Sequence, residues 1–183
     1  MIQDSTTFRP ADLATAPAGP APTEPQRLLP ARVAERVRRG EPLRDVLEFM
    51  VAELKWHFPA YAWAGVYLTQ GEVLELGPFR GPESPHHRIR IGVEGICGWV
   101  AQHAVPQVIP DVNADPRYLS CSASIRSEIV VPIVHEGRVW GVIDIDSETP
   151  AAFTQRDLDV LVELARVVAP SFAPASADAA ERA

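Results

Sequence analysis

Residues 127–147, S-E-I-V-V-P-I-V-H-E-G-R-V-W-G-V-I-D-I-D-S, constrain the fold of this chain more than any other stretch. Two runs rich in Val and Ile flank a short polar turn, the pattern of a β-hairpin. A three-residue loop of His135, Glu136 and Gly137 puts Gly in the left-handed position that such a loop requires. That register sets Glu128 opposite Asp144, Val130 opposite Val142 and Pro132 opposite Trp140. Side chains alternate along a strand, so Asp144 and Asp146 share one face, and Glu128 joins them there. A two- or four-residue turn would instead send Glu128 to the other face. Three carboxylates on one face of an otherwise apolar hairpin are costly unless a cation or a proton sits among them. This face is therefore expected to be a binding site.

The 183 residues are enough for one domain with a core of its own. An apolar share of 46% is ordinary for a soluble globular protein. The formal net charge of −7 argues against nucleic acid or an anionic membrane as a general partner. No apolar run approaches the roughly 18 residues of a membrane span. The opening M-I-Q-D-S-T-T-F-R-P lacks the apolar segment of a secretory signal. These features imply a cytoplasmic location, where thiols stay reduced. Cys97 and Cys121 then read as inert or redox-active groups and not as a permanent staple.

Residues 1–25 are rich in Pro, Ala and Thr and poor in large apolar groups, and are expected to be disordered. The tail 173–183 reads the same way, which leaves a domain over 26–172. Residues 27–39 predict a short basic amphipathic helix, with Pro30 near its start and Gly40 after its end. In 42–57, Leu43, Val46, Leu47, Met50, Val51 and Leu54 recur at helical spacing, with Pro42 suited to the first turn and Pro59 as a stop. Residues 61–68 predict a strand with Trp63, Gly65 and Tyr67 on one face, either core or an apolar wall with a slot at Gly65. A second strand follows over 72–77. The breakers between Gly77 and Pro85 make a loop, and 88–91 a short strand.

His86 and His87 lack partners at metal-ligand spacing and read as a surface pair, so no metal is expected. G-V-E-G-I-C-G-W-V-A-Q-H-A is a glycine-rich turn opening a short helix at about Ile96. Its amides could receive an anion, and the helix dipole would lower the thiol pKa of Cys97 in the first turn. After a short strand over 107–110 comes a long polar loop, a kind of segment that is usually functional. Arg117 and Arg126 flank Cys121 in it and would favour a thiolate if they pack close, while Asp111, Asn113 and Asp115 read as turn formers. After the hairpin, Thr154 caps a last helix with Asp157 three residues on.

This order of elements predicts an α+β fold, an antiparallel sheet backed by helices. The motifs A-W-A-G-V-Y-L, L-G-P-F, G-I-C-G, V-I-P-D-V-N, Y-L-S-C-S, R-S-E-I-V-V-P-I and G-V-I-D-I-D-S together resemble the free methionine-(R)-sulfoxide reductases, single GAF-domain proteins, from about Leu43 to Phe172. The resemblance implies a six-stranded antiparallel sheet with helices packed on one face and loops over a ligand pocket on the other. It implies that Cys121 is the catalytic cysteine and Cys97 a second cysteine able to form a disulfide with it. Glu128, Asp144 and Asp146 would surround the bound amino acid, and Trp63 and Tyr67 would wall the pocket around the substrate methyl group. The implied activity is reduction of free L-methionine (R)-sulfoxide to methionine, through a sulfenic acid and a disulfide that thioredoxin reopens, with no tightly bound cofactor. One departure stands out. Where the family usually has a further, resolving cysteine before an arginine, P-H-H-R-I places His86, and I-G-V-E-G-I-C-G is one residue longer than usual. Turnover would then use Cys97 or an external thiol. The alternative functions are a non-catalytic GAF sensor of a small ligand and a dimerising regulatory module built on the helices at 42–57 and 154–171, and a homodimer is compatible with the resemblance.

Overall fold

Residues 127–133 are buried without a break. A strand with one face in water would alternate, so the sheet holding them is covered on both sides. The computed structural model describes residues 19–172. The tail expected to be disordered lies outside the described residues, as does the N-terminal segment up to residue 18. The elements are α1 (Glu24–Arg38), α2 (Leu43–His57), β1 (Trp63–Gln70), β2 (Val73–Arg80), β3 (Arg88–Arg90), α3 (Gly95–His103), β4 (Gln107–Ile109), β5 (Ser127–His135), β6 (Arg138–Ser147) and α4 (Gln155–Val168). The strands form one antiparallel six-stranded sheet in the order β3-β2-β1-β6-β5-β4, as expected for the α+β fold.

Alternation along the central strands divides the protein into two layers. Ala64, Val66, Ile129, Val131, Ile143 and Ile145 pack with residues of α1, α2 and α4 in the larger core. Trp63, Tyr67, Val130 and Val142 face the other way and pack with Ile96, Val100 and the covering loops. The helices therefore do not all share one face: α3 sits on the loop side, where it helps to build the pocket floor.

The central hairpin turns differently from the expected three-residue loop. Glu136 and Gly137 form a two-residue turn with φ of 51° and 72°, and His135 pairs with Arg138. That is the primed turn whose twist suits a hairpin. Alone it would have sent Glu128 to the wrong face. A bulge corrects it: Val134 pairs with Val139 and Ile133 with Gly141, so Trp140 is an extra residue. Glu128 then lies opposite Asp146, Val130 opposite Asp144 and Pro132 opposite Val142, each two residues from the expected partner and on the expected face. β4 pairs with β5 only as far as Val130, so Pro132 stands where β5 has β6 as its one neighbour.

The first helix begins earlier than its sequence pattern indicated. Pro25 occupies the first turn, Pro30 lies inside the helix, and the Gln26 side-chain oxygen accepts the Thr23 N–H at 2.7 Å. The last residues of the segment expected to be disordered thus supply a helix start. At α4 the Thr154 N–H donates to Asp157 at 2.8 Å as expected, and the other Asp157 oxygen accepts the Tyr61 hydroxyl at 2.8 Å. No helix among the described residues is long and apolar enough to cross a membrane.

Candidate active site

Strand alternation places Trp63 and Tyr67 of β1, Glu128 of β5, and Asp144 and Asp146 of β6 on the face away from the larger core. Cys97 reaches this face from the first turn of α3, and Cys121 from the loop between β4 and β5. A cavity of about 230 Å³ opens among Trp63, Tyr67, Ser84, Cys121, Asp144 and Asp146. A small inner chamber of about 20 Å³ shares Tyr67, Cys121, Asp144 and Asp146 with it and adds Cys97 and Glu128. The structure brings together all seven residues singled out from the sequence.

The three carboxyl groups are buried, with 4–6% of each residue exposed. Among the described residues none of them pairs with a lysine or arginine. Burial raises the pKa of each. Asp144 is pushed up to about 7, and its charge then drives Glu128 and Asp146 further up. Burial and crowding thus favour the protonated form of these carboxyls. The arginine expected near Cys121 is engaged elsewhere: Arg117 binds Asp115 at 2.6 Å and lies over the Trp99 ring.

Both thiols depart from expectation. Cys97 does lie in the first turn of α3, but complete burial and then the fields of Asp144 and Glu128 push its thiol well up, against the helix dipole. Cys121 is half-buried, and its S–H donates to the Leu119 carbonyl at 3.7 Å. Burial and then Asp144, Asp146 and Glu128 raise it too. Arg126 is exposed and Arg117 is taken, so neither offsets this. The neighbour that favours the Cys121 thiolate is the Ser84 hydroxyl.

Ser84 was not legible as a site residue, although a small hydroxyl fixed between Pro82 and Pro85 was a usable signal. It is 5% exposed. The Tyr67 hydroxyl gives its only hydrogen to the His86 carbonyl at 3.0 Å, and the His86 N–H donates to Ser84 Oγ at 3.2 Å. Tyr67 and Ser84 are 3.4 Å apart, a long contact. The Ser84 hydrogen is thus uncommitted by any short bond and available to the sulfur beside it.

Residues 42–171 match the GAF domain family. The structure of the free methionine-R-sulfoxide reductase from Neisseria meningitidis, solved in complex with its substrate, superposes with a TM-score of 0.75 at 34% identity, covering 86% of this chain and 95% of that one. This chain is a GAF-domain protein of the free methionine-R-sulfoxide reductase family. The Saccharomyces cerevisiae free methionine-R-sulfoxide reductase is 40% identical over 110 residues, which span 58% of this chain and 60% of that protein. The Escherichia coli free methionine-R-sulfoxide reductase is 39% identical over 102 residues, spanning 56% of this chain and 61% of that protein.

Within this GAF fold the aromatic wall is closed more tightly than the sequence indicated. The slot expected over Gly65 is filled by the Trp63 indole: a Cβ on Gly65 would fall 2.2 Å from its ring. Trp63 also stacks on Phe79 at 5.7 Å, tilts toward Tyr67 at 6.2 Å, and donates its indole N–H to the Pro82 carbonyl at 3.1 Å.

His86, which stands where the resemblance expects a further thiol, is not the surface residue predicted. It is half-buried, lines the inner chamber, and its Nε2 meets the Ser120 carbonyl at 2.9 Å. A carbonyl only accepts, so Nε2 carries the hydrogen. His87 is exposed. The start of α3 faces the inner chamber beside the carboxyls, and the cation lining the outer cavity is Lys55, whose Nζ donates to the Tyr61 carbonyl at 2.8 Å. Cys97, Glu128 and Asp144 each bring one ligand atom to within 4.8 Å of the other two. They come from three separate elements, so no local spacing could have revealed that group.

Proposed function

We propose that this protein reduces free L-methionine (R)-sulfoxide to methionine, with Cys121 as nucleophile. The observation that carries the reading is the meeting of the free Cys121 thiol with three buried carboxyl groups, Asp144 and Asp146 lining the cavity and Glu128 joining them in the inner chamber beside it. The family relatives bear the name of this activity, and the Neisseria meningitidis relative was solved with its substrate.

In this reading Trp63 and Tyr67 seat the methylthio end of the substrate, a sulfur–aromatic contact worth roughly 0.3–1.5 kcal/mol. Ionised members of the Glu128, Asp144 and Asp146 group hold the substrate ammonium, and Lys55 at the cavity wall attracts its carboxylate. Ser84 donates to the Cys121 thiolate as it forms. The sulfur of Cys121 attacks the sulfoxide sulfur while a protonated carboxyl gives its hydrogen to the sulfoxide oxygen. In the resulting adduct the hydroxyl passes from the substrate sulfur to the Cys121 sulfur as the bond between the two sulfurs breaks, so methionine leaves and Cys121 is left as a sulfenic acid. The Cys97 thiol then displaces that oxygen as water and closes a disulfide. A dithiol of the thioredoxin class reopens it and is itself oxidised. A cytoplasmic location suits this donor.

The deciding experiment supplies purified protein with the separate (R)- and (S)-sulfoxides of L-methionine, thioredoxin, its reductase and NADPH, and follows methionine release. Turnover of the (R) form, lost in Cys121→Ser, is expected. Turnover that survives that substitution would take the role of nucleophile away from Cys121, and tight binding with no turnover would replace this reading with that of a ligand sensor.

A further inference from the structure

We propose that the inner chamber is also a seat for one thiophilic divalent cation, Zn²⁺ first among them, held by Cys97, Glu128 and Asp144. The proposal stands on the ligand geometry and does not need the reductase reading.

The three ligand atoms lie within 4.8 Å of one another and come from α3, β5 and β6. Zinc takes sulfur at about 2.3 Å and carboxylate oxygen at about 2.0–2.2 Å in tetrahedral sites. Those lengths put neighbouring ligand atoms roughly 3–4 Å apart, so small side-chain rotations close the set. The chamber between them, about 20 Å³, is of the size of a single water or ion and not of a larger ligand. An independent observation points the same way. Asp144 is 4% exposed and lines the chamber; the Cys97 thiol bonds to its carboxyl, yet its Oδ1 is sealed from solvent without a geometrically sound hydrogen-bond partner. Such an acceptor is costly to leave empty-handed. Asp146, on the same chamber wall, or a water from the outer cavity supplies the fourth ligand.

The charge arithmetic favours a dication. A thiolate and two carboxylates carry three negative charges, and no lysine or arginine among the described residues pairs with either carboxylate. An arriving ion displaces the thiol hydrogen and any hydrogen on the carboxyls, which pass to solvent. The sulfur ligand selects zinc or cobalt over magnesium and calcium. Because Asp144 and Glu128 also serve the proposed substrate, the ion and the sulfoxide exclude one another.

The test uses the full-length protein, reduced and stripped of metal, titrated with Co²⁺ and then Zn²⁺. The expected result is one Co²⁺ per chain with a near-ultraviolet thiolate-to-cobalt absorption band, abolished by Zn²⁺ and untouched by Mg²⁺. Cys97→Ser removes the band, Glu128→Gln weakens Co²⁺ binding by about tenfold or more, and Cys121→Ser keeps the band. Near-ultraviolet circular dichroism checks that each variant folds, and Glu128→Gln serves if Cys97→Ser does not. A wild type without the band, a band that survives Cys97→Ser, or Glu128→Gln binding Co²⁺ as tightly as wild type overturns the proposal. Methionine release by the metal-free protein reads the reductase activity separately, so each idea can fail alone.

Discussion

Glu128 and Asp146 are directly paired across β5 and β6, both buried, and among the described residues neither pairs with a lysine or arginine. With Asp144 they make a group whose pKa values burial and mutual repulsion raise, and this has consequences for stability as well as for catalysis.

Asp144 ionises near its ordinary 3.8 in the unfolded chain and at about 7 in the folded one. The folded state therefore binds the extra proton. The stabilisation this gives is fully present below about pH 4 and is lost as pH rises through about 7. Asp144→Asn removes the titration. In urea unfolding between about pH 5 and pH 8, wild type should lose stability relative to Asp144→Asn. A constant gap between the two across that range would show that the carboxyl is not held protonated.

The Ser84 hydroxyl is the group in place to support a Cys121 thiolate. A hydrogen bond to a charged group is worth about 1.5 kcal/mol, or about one pKa unit. Ser84→Ala should therefore move the pH profile of Cys121 alkylation up by about one unit, and slow alkylation at fixed pH about tenfold. Ser84→Thr keeps the hydroxyl and should keep most of the wild-type profile. Cys97→Ser as background removes the second thiol from the measurement.

Cys97 and Cys121 share the inner chamber. Wild type treated with methionine sulfoxide in the absence of reductant should accumulate the disulfide between them, seen as a loss of two thiols per chain. Cys97→Ser should release one methionine per chain, hold Cys121 as a dimedone-reactive sulfenic acid, and turn over with thioredoxin about tenfold more slowly or worse. An unchanged rate would assign resolution to an external thiol.

Gly65 lies directly under Trp63. Gly65→Ala would drive a methyl group into the indole, and overpacking of this kind costs about 1–3 kcal/mol. Unfolding in urea with tryptophan fluorescence should show that loss together with a weakened KM. Combined with Trp63→Leu the penalty should shrink, a non-additivity that identifies the contact as its source.

The carboxylate face of the hairpin was legible because it depends only on parity. The turn is one residue shorter than its His-Glu-Gly sequence indicated, and the bulge at Trp140 adds that residue back. Two local features beyond reach of the pattern cancelled, and Glu128 still met Asp144 and Asp146. The helices at 42–57 and 155–168 were legible from apolar spacing for the same kind of reason. What the sequence hid was set by long-range packing. The start of α1 lay in a Pro-rich stretch whose composition concealed the Thr23–Gln26 contact. The thiol acidities were misjudged because the local signals, a helix start and two nearby arginines, were outweighed by burial and by carboxylates contributed from β5 and β6. Ser84 and His86 gained their roles only when two loops met.

That meeting has a mechanical consequence. Through His86 and the Ser120 carbonyl, the loop after β2 is fastened to the loop bearing Cys121. The roof of the cavity is thereby a single coupled panel. A ligand large enough to lift one side must carry the nucleophile with it, so substrate admission and alignment of the sulfur become one movement.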